Sequence, residues 1–419
     1  MLQNESSMKQ KLSFTNLISI NAYSFGLSFL WNTLHPIVLP AMLLSYVPET
    51  SKNTWLGLLT FLGLVLAMLV QPLSGAFSDR SHSRWGRRTP FIALGTILDV
   101  CVLLCIAAAN SLVGIFFGYI TLQVASNIAQ GPMQALIPDI VPEQQKGLAS
   151  GIKNFMDVFG VVCASVLAGF LLAPDGSGTY RIFLVVIGIL CITAAVTIFA
   201  ARERKKSMGT ESPSAGFSVR EVFSFDRKTN RPFSNLLVSR FIFLLGVYGI
   251  QTFAQYIRDV LVVENPVEAT GSLMIVIACA LVAFVLISGW LSDRTGPERM
   301  MNAAMLITAT GGLALVFVQQ MTMLMVVAAF IGAGMGLYLT SNWTMAVKLA
   351  PADQAGKFLG LTNLATAGAS ALGKLEGPLI DLLNRCKPGA FWGYRFLFCF
   401  CFVCSLISFF VFQSLKKHA

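Results

Sequence analysis

Residues 75–88 read GAFSDRSHSRWGRR and residues 289–299 read GWLSDRTGPER, so the chain carries Gly-x-x-Ser-Asp-Arg twice, each time directly after a long apolar stretch. A second pair of segments repeats in the same order, with VPEQQKGLASGIKN at residues 141–154 and APADQAGKFLGLTN at residues 350–363. The second pair shares a glutamine, two glycines and an asparagine at one common offset. Two different segments that repeat in one order indicate that the chain consists of two related halves.

Long apolar stretches fill most of the 419 residues. Hydrophobic residues make up 55% of the chain and charged residues only 12%, against about 25% charged residues in a typical soluble domain. A helix that spans a bilayer needs about 20 mostly apolar residues. Twelve such stretches are present, at residues 14–46, 54–78, 89–109, 112–137, 147–172, 181–201, 236–262, 270–292, 299–318, 323–347, 357–383 and 392–415. The first is long enough to contain a break near Pro36 or Pro40.

The twelve stretches predict an all-α membrane protein with twelve transmembrane helices in two pseudo-symmetric six-helix bundles. The N-terminal bundle is predicted at residues 1–201 and the C-terminal bundle at residues 236–419. Residues 202–235 between them are polar and rich in Lys, Arg and Ser, which is typical of a linker.

The net charge of +10 comes from Lys and Arg in short clusters between the apolar stretches. Such clusters favour contact with a lipid bilayer and give no reason to expect a nucleic acid partner. Lys and Arg are concentrated in the loops after the second and eighth stretches and in the linker. Because cytoplasmic loops carry the excess of these residues, we expect a multi-pass protein of the cell membrane, plasma or inner, with both termini and the linker in the cytoplasm.

Motifs of catalysis and cofactor binding are missing from the sequence. The chain has no Walker loop, no nucleophile elbow and no cluster of metal ligands. Its nine cysteines show no CxxC pair, and all but Cys386 lie in apolar stretches, where they read as small hydrophobic residues. We therefore predict a protein that is not an enzyme and that needs no metal or cofactor.

The repeated segments, the twelve stretches and the six-plus-six arrangement together resemble the major facilitator superfamily over nearly the whole chain. The Gly-Arg-Arg that follows the first Asp-Arg is part of this resemblance. The spelling DRSHSRWGRRTPF, together with PDIVPEQQKGLASG further on, is similar to the sucrose–proton symporters and their bacterial glycoside-carrier relatives. The resemblance implies a secondary active transporter that works by alternating access, with a solute cavity between the two bundles.

The resemblance also implies a cytoplasmic gate at the repeated loops. We expect Asp79 to contact the N-terminus of the eleventh span and one of the arginines, because helix N-termini carry partial positive charge. The second copy lacks the Gly-Arg-Arg tail, so a weaker contact with the fifth span is expected there. A basic loop that only sets membrane orientation is the alternative. The predicted gate residues are Gly75, Asp79, Arg80, Gly86, Arg87, Arg88, Asp293 and Arg294.

Polar residues at helical spacing lie on spans 1, 4, 7 and 10, which line the cavity in the resembling family. Residues three or four positions apart share one helix face, so each of these spans presents one polar stripe. Hydrogen bonding between helices is the alternative explanation. The predicted cavity residues are Asn32, His35, Gln123, Asn127, Gln130, Gln251, Gln255, Tyr256, Tyr338, Asn342 and Trp343. Most of them carry neutral amide, hydroxyl or aromatic groups, which suit the hydroxyls and ring faces of a neutral sugar.

Three charged residues lie at membrane depth, where an unpaired charge is costly. Lys153 and Asp157 are one turn apart on the fifth span, and this pair is the preferred site for proton coupling. A static ion pair is the alternative. Asp99 on the third span is a further coupling candidate, or a protonated packing residue.

These observations predict a transporter that imports a sugar or glycoside with protons, or with sodium as the coupling ion, and that functions as a monomer. A proton-coupled exporter of drugs or other small amphiphiles is the alternative. A receptor or scaffold with a transporter fold is disfavoured, because it would not need two symmetric gates.

Overall fold

The computed structural model describes residues 11–44, 46–47, 52–171, 179–203, 230–249, 256–261, 263, 266–373, 380, 382–384 and 391–414. Within these ranges the regular structure is helical, without a strand. The described residues include twelve long helices: α1 (Phe14–Thr33), α2 (Lys52–Asp79), α3 (Thr89–Ala107), α4 (Leu112–Gln134), α5 (Lys146–Leu171), α6 (Thr179–Glu203), α7 (Arg231–Gly249), α8 (Pro266–Thr295), α9 (Pro297–Leu315), α10 (Met321–Leu349), α11 (Ala355–Gly373) and α12 (Trp392–Gln413). The all-α fold class is confirmed, and one long helix lies in each predicted span.

Eight of these helices are long and apolar enough to cross a membrane by length and composition: α2 to α6, α8, α10 and α12. The other four, α1, α7, α9 and α11, carry more polar or charged residues among those the structure describes. Two of these four, α1 and α7, are helices on which the sequence predicts a polar stripe. The protein is a multi-pass membrane protein.

The first predicted span changes its winding at the expected proline. The α-helix ends at Thr33, the segment Leu34–Val38 winds as a π-turn, and a short helix follows at Leu39–Leu44. Pro36 has no backbone N–H to donate, so the regular α-helical ladder is interrupted there. The predicted break near Pro36 or Pro40 is therefore confirmed.

The seventh span begins earlier than the sequence predicts. Helix α7 begins at Arg231 rather than at residue 236, so the last residues of the predicted linker are helical. Pro232 is compatible with this start, because proline is tolerated in the first turn of a helix, where its missing N–H has no intrahelical partner. Beyond Gly249, the next described regular element is a π-turn at Ile257–Leu261. The linker and bundle boundaries otherwise stay predictions, because residues 204–229 lie outside the described ranges.

The described helices form two compact units. The first contains α1 to α6 and also the segment Ala350–Asn363, which includes the first half of α11. The second contains α7 to α10, the rest of α11 from Leu364 onwards, and α12. The start of α11 therefore belongs with the first six helices, although it is distant from them in sequence.

Four pairs of helices recur at corresponding positions in the two units. In the first unit, α1 packs on α6, α2 on α4, and α3 on both α4 and α6. In the second unit, α7 packs on α12, α8 on α10, and α9 on both α10 and α12. Each pair in the second unit has helix numbers six higher than its counterpart in the first. This correspondence agrees with the internal duplication predicted from the repeated loops.

Candidate functional site

Asp79 is the last residue of α2, and its carboxylate accepts hydrogen bonds from the start of α11. Its Oδ1 accepts the backbone N–H of Gly356 and its Oδ2 that of Lys357, both at 3.0 Å. These N–H groups belong to the first turn of α11, where they have no partner within the helix. The carboxylate of Asp79 lies at the negative end of the α2 dipole, which disfavours its charge. The positive N-terminus of α11 offsets this unfavourable interaction. The predicted contact between Asp79 and the eleventh span is confirmed.

Two arginines complete this cluster at the end of α2. Arg88 Nη2 lies 2.6 Å from Asp79 Oδ1, and Arg88 Nε lies 2.8 Å from Asp139 Oδ2. Arg87 approaches the same Asp139 carboxylate to 2.5 Å and donates to the Ala352 carbonyl at 3.2 Å. Two carboxylates therefore face two guanidinium groups, and the buried charges balance. We name Asp79, Arg87, Arg88 and Asp139 the gate cluster.

The predicted role of the Gly-Arg-Arg tail has a structural basis. Gly86 has a φ of +104°, which is the left-handed region that favours glycine, and its N–H donates to the Ser83 carbonyl at 3.0 Å. This turn directs Arg87 and Arg88 back towards Asp139. Burial opposes the charge on Arg88, but the Asp139 and Asp79 carboxylates outweigh that effect and raise the pKa of Arg88 above its usual value. The guanidinium therefore stays charged at every physiological pH.

Asp139 is a gate-cluster residue that the sequence analysis missed. It lies in the short helix Leu136–Ile140 that follows α4, and its side chain is only 10% exposed. A proline precedes it, so from the sequence it reads as an ordinary helix-end residue. The sequence did contain a signal for a second acidic partner. The first loop has four basic residues but only one acidic residue, so a carboxylate from elsewhere in the chain was needed to balance their charge.

The other charged residues of the predicted gate are Arg80, Asp293 and Arg294. Arg80 is half-buried. In the second copy, the Arg294 guanidinium stacks 3.9 Å above the exposed ring of Trp290. Gating roles for these three residues stay predictions.

Gly75 and Gly356 let the backbones of α2 and α11 meet. A Cβ atom on Gly356 would lie 2.5 Å from the Gly75 carbonyl oxygen and 2.9 Å from Arg88 Nη1. Neither neighbour can yield easily, because one is backbone and the other is held by ion pairs. We expect Gly356→Ala to destabilise the protein by about 1–3 kcal/mol, the usual cost of overpacking, and to lower its thermal unfolding midpoint in detergent.

Gly188→Ala is the matched control for this substitution. A Cβ atom on Gly188, in α6, would have no atom within 4 Å, and alanine favours a helix over glycine. The midpoint of this variant should equal or exceed that of the wild type. Equal midpoints for Gly356→Ala and the wild type would show that the two glycines do not constrain the approach of these helices.

A chain of polar side chains runs between α1 and α4 in the first unit. His35 Nε2 and Tyr119 Oη are 2.8 Å apart, and Gln123 Nε2 donates to the same Tyr119 oxygen at 2.8 Å. Asn127 Nδ2 donates to the Gln123 backbone carbonyl at 2.8 Å. The Trp31 ring lies 4.8 Å from the His35 ring. We name His35, Tyr119, Gln123 and Asn127 the polar chain.

The structure brings some of the predicted residues of this stripe together and leaves others apart. Three of the four polar-chain residues were predicted, while Tyr119 was missed although it lies four and eight residues before Gln123 and Asn127 on the same face. Asn32 Nδ2 donates back to the Ser28 carbonyl of its own helix at 2.8 Å. Gln130 is half-buried on α4.

Several buried amide atoms of the first unit have no hydrogen-bond partner among the described residues. They are Asn127 Oδ1 in the polar chain, both polar side-chain atoms of Gln71 on α2, and Gln134 Oε1 at the end of α4. The Gln71 side chain is fully buried, and Asn127 is 2% exposed. Buried polar groups in proteins are nearly always hydrogen-bonded, so these atoms are candidates for contact with a solute.

The predicted stripe of the second unit is only partly described. Gln251 and Gln255 lie outside the described residues. Tyr256 packs among core residues, with its ring 5.1 Å from Phe398 and its hydroxyl donating to the Val318 carbonyl at 2.8 Å. This packing assigns Tyr256 to the core, so we leave it out of the proposed site.

The α10 residues of the stripe are buried in the second unit. Tyr338, Asn342 and Trp343 are each at most 3% exposed. Asn342 Nδ2 donates to the Tyr338 hydroxyl at 3.3 Å, and Asn342 Oδ1 accepts a hydrogen bond from Arg240 on α7. Arg240 was not among the predicted site residues.

The predicted pair on the fifth span is present. Lys153 Nζ lies 2.8 Å from Asp157 Oδ2, and the Asp157 side chain remains 37% exposed. The Ser28 hydroxyl of α1 donates to the Asp157 backbone carbonyl at 2.5 Å. Asp99, by contrast, is fully buried, and its Oδ1 accepts from the Ser126 hydroxyl at 2.8 Å. The coupling roles of these residues stay predictions.

Within the described residues, no group of three or more His, Cys, Asp or Glu side chains is arranged to hold a metal ion.

A family model described as Major Facilitator Superfamily matches residues 12–373. The chain belongs to this superfamily. Its members are transporters and not enzymes, so the predicted fold, family and absence of catalysis are confirmed.

Relatives within this superfamily have different named functions. The chain is 25% identical over 382 residues to the multidrug resistance protein MdtG of Citrobacter koseri, a match that covers 88% of each chain. It is 26% identical over 194 residues to the sucrose transport protein SUC4 of Arabidopsis thaliana, covering 42% of this chain and 36% of that protein. A crystal structure of a bacterial homologue of the iron transporter ferroportin matches with a TM-score of 0.75, at 15% identity over 96% of this chain and 99% of that one. The structural likeness shows the fold alone.

Proposed function

We propose that this transporter imports a sugar or glycoside together with protons, by alternating access, across the bacterial inner membrane. Both termini and the linker would then face the cytoplasm, as the distribution of Lys and Arg indicates. The similarity to SUC4, a sucrose transport protein, supports the choice of solute.

The observation that carries the proposal is the neutral chemistry of the polar chain. Its members offer phenol, imidazole and amide groups, and Asn127 Oδ1 is buried without a partner among the described residues. Amides and hydroxyls both donate and accept, as sugar hydroxyls do. A sugar hydroxyl that donates to Asn127 would satisfy this atom at no cost in buried charge.

The Asp157–Lys153 pair is the proposed coupling site. Its carboxylate keeps 37% of its surface exposed, and a lysine 2.8 Å away competes with a proton for it. A change in the separation of the two groups would alter how firmly Asp157 holds a proton. The gate cluster supplies the second part of the cycle, because its hydrogen bonds to the start of α11 would form in one state and break in the other.

Export of drugs is the second candidate function. It is favoured by the match to MdtG, a multidrug resistance protein, over 88% of each chain. A lipophilic cation would need an exposed carboxylate or an aromatic surface, and it would gain little from neutral amides.

Substrate-induced pH changes in proteoliposomes distinguish these two functions. The purified protein would be reconstituted with a pH-sensitive dye inside, and mono- and disaccharides, β-glucosides and lipophilic cations would be added outside one at a time. Acidification inside the vesicles upon addition of a sugar, and not of a cation, is expected for a sugar–proton symporter. Proton movement in response to cations alone would replace the sugar proposal with the exporter.

We expect Asn127→Ala to weaken the apparent affinity for the transported sugar. Removing this amide leaves a solute hydroxyl without its partner, which costs about 1–3 kcal/mol and corresponds to a loss of roughly five- to hundred-fold. The half-saturating concentration for uptake measures the effect.

Thr121→Ala is the control on the same helix. Thr121 is exposed, and its hydroxyl donates only to the Phe117 carbonyl one turn earlier. The half-saturating concentration for uptake by the Thr121→Ala variant should match that of the wild type. If Asn127→Ala behaves like this control while expression is normal, the polar chain does not contact the solute.

A further inference from the structure

Arg240 is a buried cation near the middle of α7. The helix begins at Arg231, and at a rise of about 1.5 Å per residue this places Arg240 roughly 14 Å along the helix axis. The residue is only 9% exposed. The predicted seventh span begins at residue 236, which would place Arg240 near its start, whereas the helix start at Arg231 places Arg240 near the middle of α7.

The known partners of Arg240 are neutral. Its Nε donates to the Thr366 hydroxyl on α11 at 2.9 Å, and its Nη1 donates to Asn342 Oδ1 on α10. All three residues belong to the second compact unit. A guanidinium has five N–H donors, so these two bonds leave most of its capacity unused. No ion pair joins Arg240 to an acidic residue within the part of the chain that the structure describes.

The described surroundings of Arg240 supply dipoles. Asn342 is oriented by its second hydrogen bond, to the Tyr338 hydroxyl at 3.3 Å, and the Tyr338 ring stacks on Phe243 with centroids 3.7 Å apart. This packing holds the Asn342 carbonyl towards the arginine. The acceptors around the guanidinium are therefore preorganised, and among the described residues no carboxylate compensates its charge.

Arg88 in the first unit provides an internal comparison. That guanidinium is equally buried, at 3% side-chain exposure, but two carboxylates lie within 2.8 Å of it. An arginine that served only to connect helices could be paired in the same way or replaced by a neutral side chain. Keeping a buried charge without a counter-charge is costly, and a bound anion would remove that cost.

We infer that Arg240, Asn342 and Thr366 form a binding subsite for the carboxylate group of a solute. A planar guanidinium suits a carboxylate because two parallel N–H groups can bind both oxygens. Combined with the proposed function, on which the sugar part of this inference rests, the subsite selects a sugar acid over the corresponding neutral sugar.

Calorimetric titration of the purified full-length protein in detergent tests the inference with four probes at constant ionic strength. D-glucuronate has hydroxyls and a carboxylate, D-glucose has hydroxyls only, benzoate has a carboxylate only, and chloride is an inorganic anion. The wild type should bind glucuronate at least about ten-fold more tightly than glucose. This comparison needs no variant, so it remains valid if a substitution at Arg240 impairs folding.

Variants then test whether Arg240 provides this selectivity. Arg240→Gln should weaken glucuronate binding by about ten- to hundred-fold, as expected for losing a charge-assisted hydrogen bond, and should leave glucose binding within about two-fold. Arg240→Lys should be intermediate, because it keeps a point charge but loses the planar fork. Arg231→Gln, at the exposed start of the same helix, is the matched control and should bind like the wild type.

The probes separate failure of this inference from failure of the proposed function. Equal binding of glucuronate by the wild type and a folded Arg240→Gln variant would overturn the subsite. Binding of glucose but of neither carboxylate would also overturn the subsite, while the sugar proposal would stand. Arg240-dependent binding of benzoate without binding of either sugar would support the subsite and overturn the sugar proposal. Arg240-dependent binding of chloride alone would overturn the assignment to a solute carboxylate.

Discussion

Replacing Asp79 with alanine should reduce net transport by about ten-fold or more while the amount of folded protein in the membrane stays normal. The substitution removes both acceptors of the Gly356 and Lys357 N–H groups and one of the two carboxylates around Arg88. Breaking a buried charge pair costs about 3–5 kcal/mol. If that cost falls on only one state of the transport cycle, the population of that state drops by roughly hundred-fold or more.

Net uptake and equilibrium binding of the solute should respond differently to Asp79→Ala. Net uptake in proteoliposomes requires the complete cycle, so it depends on the state that the gate cluster stabilises. Solute binding at equilibrium should change far less, because Asp79 lies at the end of α2 and outside the polar chain. The measurement is therefore the initial rate of uptake together with the dissociation constant of the same solute.

Asp353→Ala is the control for this experiment. Asp353 lies in the same loop as the start of α11 but is exposed, and its carboxylate accepts only from the side chain of Gln354 at 3.2 Å. Its uptake should equal that of the wild type. Wild-type uptake by Asp79→Ala at normal expression would favour the alternative explanation, in which the basic loop only sets orientation.

The gate illustrates which contacts sequence reasoning can find. The contact of Asp79 with α11 could be predicted because the resemblance to the superfamily pairs the end of the second span with the start of the eleventh, and a helix N-terminus favours a carboxylate. Asp139 could not be assigned in the same way, since its pairing with Arg88 depends on how the end of α4 packs beside the α2–α3 loop. Helical spacing carries no information about that packing.

The polar chain shows the same division between local spacing and helix packing. The spacing of Gln123 and Asn127 places them on one face of α4, and the structure confirms that they are hydrogen-bonded neighbours. That His35 meets Tyr119 depends on the arrangement of α1 beside α4, which no single helix encodes. Tyr119 could have been found, because it has the same four-residue spacing as its neighbours.

Arg240 was missed for a different reason. The predicted seventh span begins at residue 236, and Arg240 was not among the predicted site residues. The structure places Arg240 near the middle of α7, because the helix begins at Arg231. Its burial depends on how α10 and α11 pack on α7, which the sequence of a single helix does not encode.

Replacing Asp157 with asparagine should abolish accumulation of the solute against its gradient but leave exchange across the membrane. Asparagine has nearly the same shape and still accepts a hydrogen bond, but it neither takes up a proton nor pairs with the Lys153 charge 2.8 Å away. Uptake driven by an imposed pH gradient should therefore fall to the level of simple equilibration. Counterflow of labelled solute, which needs no net proton movement, should persist.

Partial exposure and a lysine partner are the reasons why Asp157 rather than Asp99 is expected to carry the proton. The Asp157 side chain is 37% exposed, whereas Asp99 is fully buried and bonded to Ser126. Glu143→Gln, an exposed carboxylate in the loop before α5, is the control and should accumulate solute normally. If Asp99→Asn abolishes accumulation and Asp157→Asn does not, the coupling carboxylate is Asp99. If both variants accumulate solute like the wild type, neither carboxylate couples transport to protons, and the Asp157–Lys153 pair is a static ion pair that holds α5 in place.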